Sequence, residues 1–300
     1  MLSKKSLISI LIIFTLCIGS VCIVCADSGT GTFKELAKEV SGDKTGTITL
    51  TKNYANTDGY DSDGIEITSD NLVIKGEEGK DITIDAQYAG RVFNANGTKN
   101  VTFENINFIN GNCSDAGGAL LLGEEASNSA KNCHFSNCYS DSFGGAIDGN
   151  AIGCQFDGCS ANYHGGAIFD GSAINCTFNS CFSQSCGGAI SYHNATNCKF
   201  VDCYAWWRGG ALYEADAVGC NFTNIYASEG GSMYKGDAFN CDFQDSIAKN
   251  GSGGAIYEGS AKGCSFSGCS VINGEGNAMF GGTATDCEID KADTSGVTIK

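Results

Sequence analysis

The sequence predicts an all-β fold: a right-handed parallel β-helix in which coils of about 22 residues stack into a rod. A Gly-Gly-Ala-Ile-like block recurs from Gly117 to Met279 at spacings of 27, 21, 22, 22, 21, 23 and 23 residues. An Ala-x-x-Cys-x-Phe block lies between successive copies, from Ala130 to Phe266. Both blocks alternate with the period of a β-strand, and a fixed repeat in the twenties is typical of a solenoid.

The repeat length predicts three short strands and three turns in each coil. Leucine-rich repeats have a similar length, but their Leu-x-x-Leu-x-Leu pattern is missing. Alternating segments also precede the repeats, at residues 47–50, 64–67, 72–74, 82–84, 92–94 and 101–108. Together these segments give about eleven coils, and the rod would be on the order of 50 Å long at ~4.8 Å per stacked strand.

The N-terminal residues 1–26 read as a signal peptide. Lys4 and Lys5 precede an apolar run from Leu7 to Val24, and small residues up to Ala26 suit cleavage before Asp27. Because the apolar run is long, an uncleaved anchor that tethers the protein to a membrane is the alternative. Either reading places the protein outside the cell or on the cell surface.

Residues 27–45 are predicted to form a helix that caps the rod, and residues 46–300 the β-helix. Thr32 and Glu35 have the spacing of a capping box, and Phe33, Leu36 and Val40 lie on one helical face. Such a helix would cover the first coil, whose strand edges would otherwise recruit other strands. The last coil has no comparable cap in the sequence, so we expect it to be frayed or covered by a partner.

The composition restricts the partners of the protein. The chain has 300 residues, with 42 Gly, no Pro and a formal net charge of -16. A chain so acidic is repelled by nucleic acid and by anionic lipid surfaces, and we exclude nucleic acid as a partner.

The repeats resemble those of a known group of proteins. Gly-Gly-Ala-Ile blocks alternate with a Phe-x-x-Asn-like block, at Phe108 and at Phe135-Ser136-Asn137, which looks like the repeats of chlamydial polymorphic outer-membrane proteins. With the segment NVTFENINFING, residues 100–111, the chain more closely resembles the adhesin-like right-handed parallel β-helix proteins of methanogenic archaea. The resemblance implies the fold and a role in surface attachment, and it implies no catalytic residue.

The cysteines are predicted to form two internal files, because equivalent residues of successive coils stack. The first file is Cys133, Cys154, Cys176, Cys198, Cys220, Cys241, Cys264 and Cys287. The second is Cys138, Cys159, Cys181 and Cys203, continued by Ile225, Ser246 and Cys269. A row cannot surround a metal ion tetrahedrally, so we expect no metal and no cofactor. Buried, reduced thiols are favoured over disulfides between neighbouring coils.

Three polar groups are weaker candidates for a site. His164 and Cys186 lie one coil apart and could form a base and a thiol, but no third group orients the imidazole. Arg208 and Glu229 are expected to form a surface ion pair. The acidic loop at residues 58–63 does not have the spacing of an EF-hand, and we expect a solvated turn there.

The alternative to a binding protein is a polysaccharide lyase or glycoside hydrolase, because the fold is similar to that of pectate lyases and polygalacturonases. Those enzymes carry acidic clusters on one strand face. The residues predicted to face outward between Cys and Phe show no such cluster: His134, Gln155, Thr177, Lys199, Asn221, Asp242 and Ser265. We therefore predict that the protein is not an enzyme.

Aromatic residues are the main candidates for a binding surface. Strand alternation places them outward, where rows of rings bind sugars or proteins, or only stabilise the rod by stacking. The predicted binding residues are Tyr204, Trp206, Trp207, Tyr213, Tyr226, Tyr234 and Tyr257. Sequons at Asn96, Asn100, Asn112, Asn175, Asn194, Asn221 and Asn250 would make the protein a glycoprotein. The predicted partners are surface glycans or cell-surface proteins.

Overall fold

The computed structural model describes residues 29–42, 44–123 and 127–300. The predicted signal peptide or anchor, residues 1–26, lies outside these ranges. Within them the chain forms a parallel β-solenoid of about 11 turns, as the repeat predicts. No helix in the described ranges has the length and hydrophobicity needed to cross a membrane.

Helix α1, Phe33–Val40, covers the first coil. The hydroxyl of Thr32 accepts the N–H of Glu35, and the Glu35 carboxylate accepts the N–H of Thr32, both at 3.3 Å. This is the predicted capping box. The buried face of the helix contacts the strands Tyr54–Ala55 and Ile65–Glu66. The helix is shorter than the predicted segment 27–45, and Gly31–Thr32 before it is already a strand.

The coils before Asn112 have three strands, as predicted, but a fourth parallel sheet begins at Asn112, so the prediction of three strands per coil is wrong for the repeats that follow. We name the sheets after their typical residues. In the described residues the Phe sheet contains Gly31–Thr32, Tyr54–Ala55, Thr83–Asp85, Asn107–Ile109, His134–Ser136, Gln155–Asp157, Thr177–Asn179, Lys199–Val201, Asn221–Thr223, Asp242–Gln244 and Ser265–Ser267. The Tyr sheet contains Asn112–Cys113, Tyr139–Ser140, Ser160–Ala161, Phe182–Ser183, Tyr204–Ala205, Tyr226–Ala227, Ile247–Ala248 and Ser270–Val271.

Two further sheets run along the solenoid. The Ile sheet contains Ile65–Glu66, Phe93–Asn94, Leu120–Leu121, Ile147–Asp148, Ile168–Phe169, Ile190–Ser191, Leu212–Tyr213, Met233–Tyr234, Ile256–Tyr257, Met279–Phe280 and Thr294–Ser295. The Ala sheet contains Gly46–Leu50, Leu72–Gly76, Thr102–Glu104, Ser129–Lys131, Asn150–Ile152, Ala173–Ile174, Ala195–Thr196, Ala217–Val218, Ala238–Phe239, Ala261–Lys262, Thr283–Thr285 and Thr298–Ile299. One 3-10 turn, Lys291–Asp293, lies near the end.

Each Ala-x-x-Cys-x-Phe block forms two strands, one in the Ala sheet and one in the Phe sheet, because the chain bends between Ala and Cys. The residue before the cysteine adopts a left-handed conformation, as at Gly153 with φ +64° and Asn175 with φ +54°. Glycine and asparagine tolerate this conformation best. The same bend at Asn105, φ +54°, divides the predicted strand 101–108 into Thr102–Glu104 and Asn107–Ile109.

The interior is built from files of identical side chains. The phenylalanine file runs along the Phe sheet, and its ring centroids lie 4.7 to 5.1 Å apart with planes within 12° of parallel. It consists of Phe108, Phe135, Phe156, Phe178, Phe200, Phe222, Phe243 and Phe266. Offset stacking of this kind adds to the hydrophobic gain of burying each ring.

Each glycine of a repeated pair has its own structural reason. Gly187, the first of its pair, has φ +63°, a conformation that side chains disfavour. A Cβ at Gly188, the second, would overlap the backbone carbonyl oxygens of Gly210 and Tyr204. The pair therefore provides both a turn and a close approach between neighbouring coils.

Candidate functional site

The first cysteine file lies inside the solenoid, as predicted. Its members from Cys133 to Cys264 are at most 3% exposed, and Cys287 is half-buried. The backbone N–H of Cys154 donates to Sγ of Cys176 in the next coil at 3.4 Å, and this contact repeats along the file. Each such N–H belongs to a residue just after a bend. The sulfurs therefore accept hydrogen bonds besides filling space, which the sequence analysis did not predict.

The second file is buried from Cys138 to Ser246, Cys269 is half-buried, and the file accepts other residues. Ile225 and Ser246 replace cysteine and are fully buried. The Ser246 hydroxyl shares a hydrogen bond of 2.6 Å with Ser232. The position therefore accepts buried side chains of different size and polarity.

The thiols are poorly suited to chemistry in the folded protein. Hydrogen bonding to Cys154 of the preceding coil raises the pKa of the Cys176 thiol to about 12, and burial adds to the effect. A thiol is nucleophilic and binds metals as the thiolate, so a raised pKa suppresses both. In the described part of the chain all cysteines are free thiols, and no cluster of metal-binding side chains is found there.

His164 and Cys186 are paired in adjacent coils, and each side chain has other contacts. The His164 ring lies parallel to the rings of Phe143 and Tyr213, with centroids 5.7 and 5.5 Å away. Burial lowers the pKa of His164 and raises that of Cys186. The Cys186 sulfur lies 3.5 Å from the Ser185 hydroxyl. The imidazole therefore acts as a member of an aromatic stack.

The predicted aromatic residues form two separate rows. In the Ile sheet, Tyr213 stacks on Tyr234 at 5.6 Å, Tyr234 on Tyr257 at 4.9 Å, and Tyr257 on Phe280 at 5.2 Å. Stacked rings cover one another's faces, so this row offers mainly ring edges to water. Tyr234 is only 6% exposed. Stacking is thus one role of these residues, as the sequence analysis considered.

A compact aromatic cluster continues this row. Ser191 leaves a gap between Phe169 and Tyr213, which His164 and Tyr192 fill. The Tyr192 ring stands nearly perpendicular to those of Phe169 and Tyr213, at 5.5 and 5.7 Å. Tyr192 is 40% exposed. The sequence showed these residues singly but not as a cluster, because residues from different turns of the coil meet here.

The second row lies in the Tyr sheet. Phe182 stacks on Tyr204 at 4.2 Å and Tyr204 on Tyr226 at 4.8 Å. Tyr139 does not join the row, because Ser160 lies between Tyr139 and Phe182 in the register. Of the seven predicted residues, Tyr204 and Tyr226 therefore belong to this row, separate from the three tyrosines of the Ile sheet.

The two tryptophans follow directly after the strand Tyr204–Ala205. Trp206 is 58% exposed and Trp207 62%. The Trp206 ring rests against Phe182 of the preceding coil at 5.7 Å, tilted by 55°. The two tryptophans are the most exposed aromatic side chains among the described residues.

Positive charges lie beside the aromatic rows. The Arg208 guanidinium lies 4.7 Å from the centre of the Tyr234 ring, and its Nε is 3.0 Å from Oε2 of Glu229, which confirms the predicted surface ion pair. Lys249 Nζ lies 3.8 Å from the centre of the Tyr226 ring. Cations over aromatic faces gain up to about 1 kcal/mol at exposed sites.

The acidic groups have structural contacts. Asp157 on the Phe sheet accepts from His134 at 2.6 Å, from Gln155 at 2.7 Å and from Asn179 at 2.7 Å. Asp58 of the acidic loop accepts the N–H of Lys34 in helix α1 at 3.0 Å. These carboxylates are engaged in holding the surface together.

Comparisons with known proteins do not identify a family for this chain. No family model matches the sequence, and no curated protein matches it. One similar solved structure is ORF18 of Geobacillus virus E2, with 12% identity and a TM-score of 0.40 over 89% of this chain. The alignment spans 56% of that viral protein, so this chain corresponds to little more than half of its length.

Proposed function

We propose that this protein is a secreted or cell-surface binding rod, adhesin-like and without catalytic activity. It recognises glycans or cell-surface proteins through the face that carries Trp206, Trp207 and the adjoining tyrosine rows. The observation that supports this most is the exposure of both tryptophans, 58% and 62%, at adjacent positions. Exposed aromatic surface on an otherwise polar protein is seldom without a partner.

The solenoid supports this role mechanically. Each coil is held by hydrogen bonds to its two neighbours, so the rings are fixed at regular spacings and lose little entropy on binding. Aromatic side chains that are already ordered make good anchors for sugars and proteins. The proposal that the protein is exported rests on the sequence of residues 1–26, which predicts a signal peptide or an uncleaved membrane anchor.

The experiment measures how much of the protein is retained on an array that carries glycans and cell-surface proteins. The double substitution Trp206→Ala and Trp207→Ala is expected to reduce retention at least about tenfold, as for aromatic anchors of other interfaces. Phe239→Ala is the control, because Phe239 is 40% exposed but lies on the Ala sheet. The proposal fails if the double variant is retained like the unmodified protein, or if the control loses as much.

A polysaccharide-cleaving enzyme remains the competing hypothesis, and it has its own assay. Incubation with polyuronides would release unsaturated or reducing sugar ends if the protein were a lyase or a hydrolase. We expect no release. Release that is proportional to enzyme concentration would replace the binding function with a catalytic one.

A further inference from the structure

The first cysteine file is a row of metal-binding side chains that the proposed function does not use. Its sulfurs occupy equivalent positions in successive coils. Sγ of Cys264 lies 3.4 Å from the carbonyl oxygen of Ala238 and 3.5 Å from that of Lys262. Sγ of Cys241 makes the same two contacts one coil earlier, at 3.5 and 3.4 Å. Because both sulfurs have the same surroundings, one coil spacing separates them.

The spacing of one coil suits a metal ion with two sulfur ligands in line. Phe243 and Phe266, which follow these two cysteines by two residues, have ring centroids 5.0 Å apart. Two metal–sulfur bonds of about 2.3 Å placed in line span ~4.6 Å, close to the ~4.8 Å between stacked strands. A row of sulfurs therefore excludes a tetrahedral ion but can hold an ion between two neighbours.

Backbone N–H groups donate to both sulfurs of this pair. The N–H of Cys241 donates to Sγ of Cys264 at 3.4 Å, and the N–H of Cys220 donates to Sγ of Cys241 at the same distance. Hydrogen bonds to the charged form of a group stabilise that form. These donors therefore support a thiolate in the interior of the solenoid.

A surface cavity of about 370 Å³ lies at the same pair. Its lining includes Cys241 and Cys264, and three carboxylate residues, Asp242, Asp286 and Glu288. Carboxylates raise the local concentration of cations. The last cysteine of the file is only half-buried, so the file is least covered at this end. A cation can therefore reach these two thiols after a small local opening of the coil.

We propose that Cys241 and Cys264 bind one Cu(I) ion between their sulfurs in linear geometry. Two copper–sulfur bonds form, the S–H bond of one thiol breaks, and its proton passes to water. One thiolate, one thiol and one Cu(I) together carry no net charge, which suits a site in the interior. This inference goes beyond the proposed function and does not depend on it.

The raised pKa of these thiols selects among metal ions. Hydrogen bonding to the thiol of the preceding coil raises the pKa of both Cys241 and Cys264. This weakens every ion that binds a thiolate, so only an ion with a strong preference for sulfur displaces the proton. Cysteine sulfur favours Cu(I) and Zn(II), and Zn(II) requires four ligands. No group of three or more metal-binding side chains is found in the described residues, which leaves Cu(I).

The test is anaerobic titration of the protein with Cu(I) in competition with bicinchoninate, a chelator whose absorbance reports the copper that it holds. Cys17, Cys22 and Cys25 are replaced by serine in every sample, because they lie outside the described residues. Circular dichroism at each point shows whether the protein stays folded. We expect one Cu(I) per chain to bind with two sulfur neighbours in X-ray absorption, and an excess of Zn(II) should not displace it.

Serine variants locate the ion. Cys241→Ser and Cys264→Ser should each weaken Cu(I) binding by more than about a hundredfold, since losing even an outer-shell partner costs 10- to 100-fold. Cys198→Ser is the matched control, because Cys198 receives the same N–H contact but does not line the cavity. That control and Cys287→Ser should change the affinity by less than about twofold. Below the raised pKa, the affinity should rise about tenfold per pH unit, for the one proton released.

Several outcomes would reject the site. Uptake that begins only as the dichroism changes would show binding by the unfolded chain. Three or four sulfur neighbours would contradict the linear geometry, and an equal loss in Cys198→Ser would contradict the location. Displacement by Zn(II), or an affinity that does not depend on pH, would also overturn the inference. Cys264→Ser should leave retention on the array unchanged, so failure of the copper site and failure of the proposed function are distinguishable.

Discussion

The phenylalanine file can be tested within a single coil, because that coil also has a phenylalanine on its outer surface. Phe243 is fully buried and its ring centroid lies 4.7 Å from that of Phe222 and 5.0 Å from that of Phe266. Phe239, four residues earlier, is 40% exposed. Phe243→Ala should lower the free energy of unfolding by about 3 to 5 kcal/mol, through lost burial and the cavity left behind. Phe239→Ala leaves no cavity, and about 1 kcal/mol is expected.

The assay is urea unfolding followed by far-ultraviolet circular dichroism. Both substitutions change the same coil, so any tendency of coils near the end to unfold separately affects them alike. Phe243→Leu should recover part of the loss, because it refills most of the cavity. Equal destabilisation by Phe243→Ala and Phe239→Ala would contradict the internal stack and with it the register of the coils.

Three further predictions concern the glycines and the thiols. Gly188→Ala should prevent folding or destabilise the protein by more than about 3 kcal/mol. Gly158→Ala should cost only about 1 to 2 kcal/mol, because no backbone atom lies against its added Cβ. Thermal melts distinguish the two variants. Cys198→Ala removes the acceptor of the Cys176 N–H and should lower the free energy of unfolding by about 1 to 3 kcal/mol, measured by urea unfolding. Cys198→Ser should lower it by less. Neighbouring thiols raise the pKa of Cys176 and Cys198 to about 12 from 9.0, so the folded state favours the protonated form. The stability that these two thiols contribute should therefore be constant below pH 9. It should fall between pH 9 and 12, by about 1.4 kcal/mol per pH unit and thiol. A stability that rises over that range would contradict the buried file.

The stacking of the coils was predictable because the sequence repeats. Once equivalent residues are assumed to stack, the interior position of Cys176 and Phe178 follows from alternation alone. The capping helix was predictable for a different reason, since Thr32 and Glu35 form a local motif. Such features depend on the order of residues and on contacts between neighbouring coils.

The division of each Ala-x-x-Cys-x-Phe block between two sheets was missed, although the sequence carries its signal. Asn or Gly precedes most cysteines of the first file, and these residues have positive φ, as at Asn197 with φ +52° and Gly219 with φ +62°. Alternation alone predicts a straight strand through that point, whereas left-handed residues predict a bend. The sequon at Asn175 also has a structural explanation, because that asparagine forms one of the bends. Its use for glycosylation stays a prediction.

The candidate site was only partly predictable. The two rows of tyrosines follow from the repeat, because one row follows the Gly-Gly-Ala-Ile block and the other follows the second cysteine of each coil. The cluster around Tyr192 combines residues from different sheets and turns, which periodicity does not connect. The position of Lys249 over Tyr226 depends on side-chain direction and required the structure.

Intrinsic fluorescence tests the central claim most directly, that recognition takes place on the outer face at the tryptophan pair. The chain contains 2 tryptophans, Trp206 and Trp207, so all of its indole emission comes from the proposed site. The free protein should emit as a water-exposed indole does, and titration with a bound saccharide should shift the emission to shorter wavelength and saturate. Emission that stays unchanged while the same saccharide binds by calorimetry would contradict the account.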